Sequence, residues 1–62
     1  MVIVFFNRGY QEVVYTCFYN ADYNISYFYN KACHYAESVL ESHPEATYFE
    51  IFDYKKYNLL FN

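Results

Sequence analysis

Ile25-Ser26-Tyr27-Phe28-Tyr29-Asn30-Lys31-Ala32-Cys33-His34-Tyr35-Ala36-Glu37-Ser38-Val39-Leu40 is the stretch that decides the fold. Ile25, Phe28, Tyr29, Ala32, Ala36, Val39 and Leu40 follow i, i+3, i+4, i+7 spacing, which draws one apolar stripe along a helix. Ser26, Tyr27, Asn30, Lys31, His34, Glu37, Ser38 and Glu41 fall opposite it. The spacing predicts an amphipathic helix. Asp22 and Asn24 stand just before it, where a side-chain oxygen can accept from the free N–H groups of a first turn. Pro44 disfavours the α conformation in the residue before it, so the helix should end near Ser42-His43. Ala32 and Ala36 at the stripe's centre allow close approach to a sheet.

Towards the N-terminus, Met1-Val2-Ile3-Val4-Phe5-Phe6 is a β-branched and aromatic run that reads as a buried strand. It breaks at Asn7-Arg8-Gly9, where Gly9 can take a positive φ without steric cost. A return run from Tyr10 to Tyr19, with Val13-Val14-Tyr15-Thr16-Cys17-Phe18 at its heart, makes this a hairpin. Beyond Pro44, Ala46 to Phe52 alternates as a third strand, with Phe49 and Ile51 on one face and Tyr48, Glu50 and Phe52 on the other. Asp53 to Lys56 could turn the chain, and Tyr57-Asn58-Leu59-Leu60-Phe61 could pair back as a fourth strand. The expected fold is α+β: a small antiparallel sheet, ββαβ or ββαββ, with one amphipathic helix packed on one face.

The chain has 62 residues, 56% of them hydrophobic and 27% aromatic, with ten Tyr and seven Phe. That length admits one domain, spanning 1–62. The aromatic content argues against disorder, and one Gly with one Pro argues against a linker-like or collagenous chain. Four basic residues against seven acids give a net charge of −3, which offers no cationic footprint for the phosphates of DNA or RNA. Met1 to Phe6 is too short for a signal-peptide core and lacks a basic n-region. No run approaches the 18 apolar residues of a membrane span. The expected location is therefore the cytoplasm.

One helix covers one face of a sheet, so the strands should alternate apolar and polar. They do not. Val2, Val4 and Phe6 oppose Ile3 and Phe5, and Val13, Tyr15, Cys17 and Tyr19 oppose Val14, Thr16 and Phe18. An aromatic sheet face left open marks a contact platform, and Tyr supplies much contact area for few rotatable bonds. The candidate partner-binding residues are Tyr15, Tyr19, Tyr48, Glu50 and Phe52 on the sheet, with Tyr27, Glu37 and Glu41 on the helix. Another protein or a second copy of the chain is the expected partner.

Reactive chemistry has little to build on. Cys17 and Cys33 suit buried free thiols in a reducing compartment. Cys33 and His34 diverge by about 100° around a helix, and with Cys17 and His43 they form no recognised zinc spacing. Glu37 and Glu41 at i, i+4 read as a solvated face. No Gly-rich phosphate loop or nucleophile elbow is present. The chain reads as a non-enzymatic module with no cofactor and no metal.

The apolar start Met1–Phe6, the Asn7-Arg8-Gly9 hairpin, the single helix and the return from His43 to Asp53 together resemble small phage-encoded accessory proteins. Anti-defence inhibitors such as anti-CRISPR proteins belong to that group. The resemblance implies an inhibitor that occludes a surface on a host protein or defence complex, in the host cytoplasm, without catalysis. The alternative is a structural homodimerisation module that buries an aromatic sheet face.

Overall fold

The computed structural model describes residues 1–61. Strands β1 (Val2–Asn7), β2 (Glu12–Phe18) and β3 (Tyr48–Phe52) form one antiparallel sheet in the order β2-β1-β3. Helices α1 (Ser26–Ser42) and α2 (Tyr54–Phe61) complete an α+β fold. The apolar first run takes the central position, where both its faces can be covered.

Register divides the side chains. Ile3 and Phe5 pair across with Cys17 and Tyr15 on β2 and with Ile51 and Phe49 on β3, making one face. Val2, Val4 and Phe6 share the other face with Phe18 and Thr16, and with Phe52, Glu50 and Tyr48. The register slips between Phe5 and Phe6, because Tyr15 pairs with Phe5 but Val13 pairs with Phe6, leaving Val14 as the extra residue. Such a bulge turns side chains on either side of it to new faces. The strict alternation expected from Val13 to Tyr19 therefore stops at Val14.

Helix α1 lies on the first face. Ala32 and Ala36 are fully buried there beside Ile3, Phe5 and Ile51, with Phe28, Tyr29, Val39 and Leu40 packed around them. The helix starts one residue later than the apolar stripe. Ile25 occupies its N-cap position and supplies no side-chain bond. Asp22 instead accepts from the Asn24 N–H at 2.8 Å, shaping the turn that leads in. His43 sits at the C-cap position, as Pro44 requires, and its Nδ1 lies 3.3 Å from Glu45 Oε1.

The hairpin differs from its expected form. Asn7 pairs with Glu12, so the loop is the four residues Arg8, Gly9, Tyr10 and Gln11. The positive φ falls on Gln11, at 52°, and not on Gly9. Asn7 explains why: its Oδ1 accepts from the N–H groups of Gly9 at 2.9 Å and Tyr10 at 3.2 Å, holding the first half of the loop in a right-handed turn. Its Nδ2 donates to the Glu45 carbonyl at 2.7 Å, and Arg8 N donates to Thr47 Oγ1 at 2.8 Å. The hairpin is thereby tied to the start of β3.

The largest correction is at the C-terminal end. Tyr57 to Phe61 form no fourth strand; they belong to α2. Asp53 caps this helix, its Oδ1 accepting from Lys56 N at 2.7 Å while its carbonyl accepts from Tyr57 N at 3.0 Å. The sheet consequently carries a helix on each face, not one.

Candidate interaction surface

The second face, expected to lie open, is roofed by α2. Tyr54, Tyr57 and Phe61 follow i, i+3, i+7 spacing and so share one side of the helix. That side meets a small cluster in which Val2 and Val4 are fully buried and Phe52 nearly so, with Phe6 and Tyr57 packed against it. Rings join the roof to the sheet. Phe18 meets Tyr57 edge-on at 5.6 Å, Tyr57 stacks on Phe61 at 5.1 Å, and Phe61 meets Phe52 edge-on at 5.6 Å. The series continues through Phe6 stacked on Tyr48 at 5.0 Å to the Arg8 guanidinium, 4.8 Å above the Tyr48 ring.

Eight residues cannot roof this face and also hide their own outer side. None of the residues of α2 is buried. Leu59, five residues after Tyr54 and so about 140° around the helix from it, is 79% exposed, and Leu60 is 58% exposed. Lys55 and Lys56 are exposed beside them. At the helix's first turn Tyr54 and Phe18 remain 59% and 61% exposed, with ring centroids 6.3 Å apart. Those two residues flank a cleft of about 360 Å³ that Met1, Tyr19, Asn20 and Ala21 also line. Its wall is held by backbone bonds: Tyr19 N donates to the Met1 carbonyl at 2.9 Å, and Met1 N donates to the Tyr19 and Ala21 carbonyls at 2.9 and 3.0 Å.

The residues singled out from the sequence do not form one patch. Tyr48, Glu50 and Phe52 lie on the α2 face of the sheet, but Phe52 is buried beneath Phe61. Tyr15 and Tyr19 belong to the opposite side. Tyr15 is half exposed beside Phe5 and stacks near His43 at 6.3 Å, and Tyr19 packs on the α1 core. Tyr27, Glu37 and Glu41 are exposed on the outer side of α1, with Lys31 Nζ 5.1 Å above the Tyr27 ring. Leu59 and Leu60 were missed, although the Asp53 cap and the Tyr54, Tyr57, Phe61 spacing were both in the sequence.

The two thiols stand apart from each other. Cys17 and Cys33 are free thiols, each half-buried. Burial, and then the nearby Glu37 carboxylate, push the Cys33 thiol above its ordinary range, which makes it a poorer nucleophile. Cys17 Sγ lies 4.0 Å from the Tyr35 hydroxyl. Among the described residues, no three His, Cys, Asp or Glu side chains come together as a metal site. No helix among them is long and apolar enough to cross a membrane. No protein-family model, no curated protein and no solved structure matches the chain.

Proposed function

We propose that the protein is a non-catalytic protein-binding module and that its contact surface is the α2 side. One observation carries this reading: Leu59, Leu60, Tyr54 and Phe18 are each more than half exposed around one short helix. Large apolar groups gathered in this way on a small domain mark a surface that another macromolecule covers. The adjoining cleft can seat an anchoring side chain, the usual centre of a protein contact. Such a module acts by occupying its partner's surface, in keeping with an inhibitor or adaptor. Two unpaired thiols fit work in a reducing compartment such as the cytoplasm.

The test is capture from a lysate of the producing cells, comparing the tagged chain with its Leu59→Lys and Glu41→Lys variants. The reading expects proteins that the wild type and Glu41→Lys retain and Leu59→Lys loses. Leu59→Lys retaining the same set would overturn it.

A further inference from the structure

We infer that the outer edge of β2 pairs with the same edge of a second copy of the chain. The two strands run antiparallel about a two-fold axis at Cys17, which joins two three-stranded sheets into one. This edge lies apart from the leucines of α2, and its pairing does not depend on what binds there.

Strand β2 is outermost in the order β2-β1-β3, and among the described residues no strand lies on its far side. The ladder shows which of its backbone groups face outward. Met1 and Tyr19 exchange both backbone bonds, at 2.9 Å each. Such hydrogen-bonded pairs alternate with non-hydrogen-bonded ones along an antiparallel ladder. The register then makes Ile3 with Cys17, and Phe5 with Tyr15, hydrogen-bonded pairs. Val2 with Phe18, and Val4 with Thr16, are the others. Val2 and Val4 turn their N–H and C=O groups towards β3, and Thr16 and Phe18 turn theirs to the open edge.

Monomeric proteins guard an edge by charge, proline, short length or cover. Strand β3 is guarded: it has five residues, with Glu50 at their centre. From Val13 to Tyr19 the β2 run has no charged residue and no proline. Every buried strand residue belongs to β1 or β3. The bulge at Val14 leaves Tyr15 to Tyr19 in unbroken register.

That run is complementary to itself, as a two-fold contact requires. Paired about Cys17, it sets Thr16 opposite Phe18 of the other copy, Cys17 opposite Cys17 and Tyr15 opposite Tyr19. Thr16 and Phe18 both face outward, so each such pair exchanges both backbone bonds. The small threonine leaves room for the ring of Phe18, which is more than half exposed in the single chain. The tyrosines meet as a cross-strand aromatic pair. No like charges meet in the run. An axis at Thr16 would set the bulged Val14 against Phe18, and an axis at Phe18 would set Thr16 against Asn20, beyond the last paired residue.

Amide exchange read by NMR at low and high protein concentration tests the edge directly. The N–H groups of Thr16 and Phe18 should exchange several-fold more slowly at high concentration, while that of Cys17, bonded to β1, stays slow at both. Light scattering should show the mass rising from 7.6 kDa towards twice that value. Thr16→Pro removes an outward N–H and no bond to β1, so it should stay monomeric with wild-type far-ultraviolet dichroism. Should the proline chain not fold, Thr16→Lys sets a charge on the edge and should be monomeric too. With Cys33 replaced by Ser, diamide should link two chains through Cys17. Directly opposed residues of a non-hydrogen-bonded pair have Cα atoms about 4.5 Å apart, within disulfide reach. The Cys17→Ser chain should link several-fold less. A mass that never leaves 7.6 kDa overturns the inference, as does a dimer with unchanged exchange at Thr16 and Phe18. A dimer that does not link through Cys17 overturns the register. The dimer should persist in Leu59→Lys; its loss there would move the contact to α2 and overturn the edge. A monomer throughout sinks this inference alone, since the set captured by Leu59→Lys still decides the α2 surface.

Discussion

The two helices cover the two faces of the same central strand by opposite means. Helix α1 runs 17 residues and buries its smallest side chains, Ala32 and Ala36, so its backbone lies close to Ile3 and Phe5. Helix α2 runs 8 residues and buries none of its own, reaching the sheet through the rings of Tyr57 and Phe61. A helix of that length is marginal in water by itself, so α2 exists because the sheet and the Asp53 cap hold it. Close packing by small residues makes a foundation, whereas a short roof held by large rings leaves apolar groups outside. The contrast explains why the candidate surface lies on α2 and not on α1.

If that contrast is right, the two faces should fail differently. Phe5 is fully buried in the core beneath α1, touching the rings of Tyr15 and Phe49. Phe5→Ala should cost about 3–5 kcal/mol, comparable with everything a core of this size supplies. The variant should show no cooperative urea transition. Phe61 is 37% exposed and contacts Phe6, Phe52 and Tyr57. Phe61→Ala should cost about half as much or less, given the discount for partial burial. Hydrogen exchange should then show lost protection in α2 with α1 still protected. Equal loss in both helices would mean that the fold is one cooperative unit and that the contrast has no energetic content.

The same contrast decides what could be read from the sequence. Helix α1 was legible from its seven stripe positions, the first two strands from their β-branched and aromatic runs, and the third from the alternation between Ala46 and Phe52. The two-sided apolar character of Val2 to Phe6 was legible too, and it pointed to a second apolar face that α1 does not cover. What covers the second face was read wrongly, since the chain supplies that cover itself. Tyr57 to Phe61, taken alone, is five residues and too short for a helical period to show. Starting the window at Asp53 reveals a cap followed by Tyr54, Tyr57 and Phe61 on one side. The contact set was scattered for a related reason. Parity assigns a residue to a face only while the register holds, and the bulge at Val14 and the roof over Phe52 both lie beyond what parity can see.

A smaller effect sharpens the account of α2. Asp53 Oδ1 accepts from Lys56 N at 2.7 Å, satisfying one of the helix's free donors. Asp53→Ala should cost about 1 kcal/mol, and Asp53→Asn, which keeps the acceptor, should recover most of it. Urea midpoints would measure both. If Ala and Asn behave alike, the ring contacts hold α2 without the cap.

The smallest expected effect belongs to α1 and concerns Cys33. Its folded thiol is held above the ordinary value of 9.0, first by burial and then by the Glu37 carboxylate. The raised value means that the folded state keeps the proton more tightly than the unfolded chain does. The stability this contributes is fully present below the ordinary value and is lost as pH rises through the folded one. Alkylation should follow the same sign, because the thiolate is the reacting form. With Cys17 replaced by Ser, iodoacetamide at pH 8.5, an assay pH on the order of a free thiol's own pKa, should label folded Cys33 more slowly than the urea-unfolded chain. Glu37→Gln removes the nearby negative charge, lowers the thiol's pKa and should speed labelling modestly, without reaching the unfolded rate, since burial is the larger cause. A rate unmoved by Glu37→Gln would leave burial against the sheet as the whole reason. That result would tie the reactivity of Cys33 to the close packing that sets α1 apart from α2.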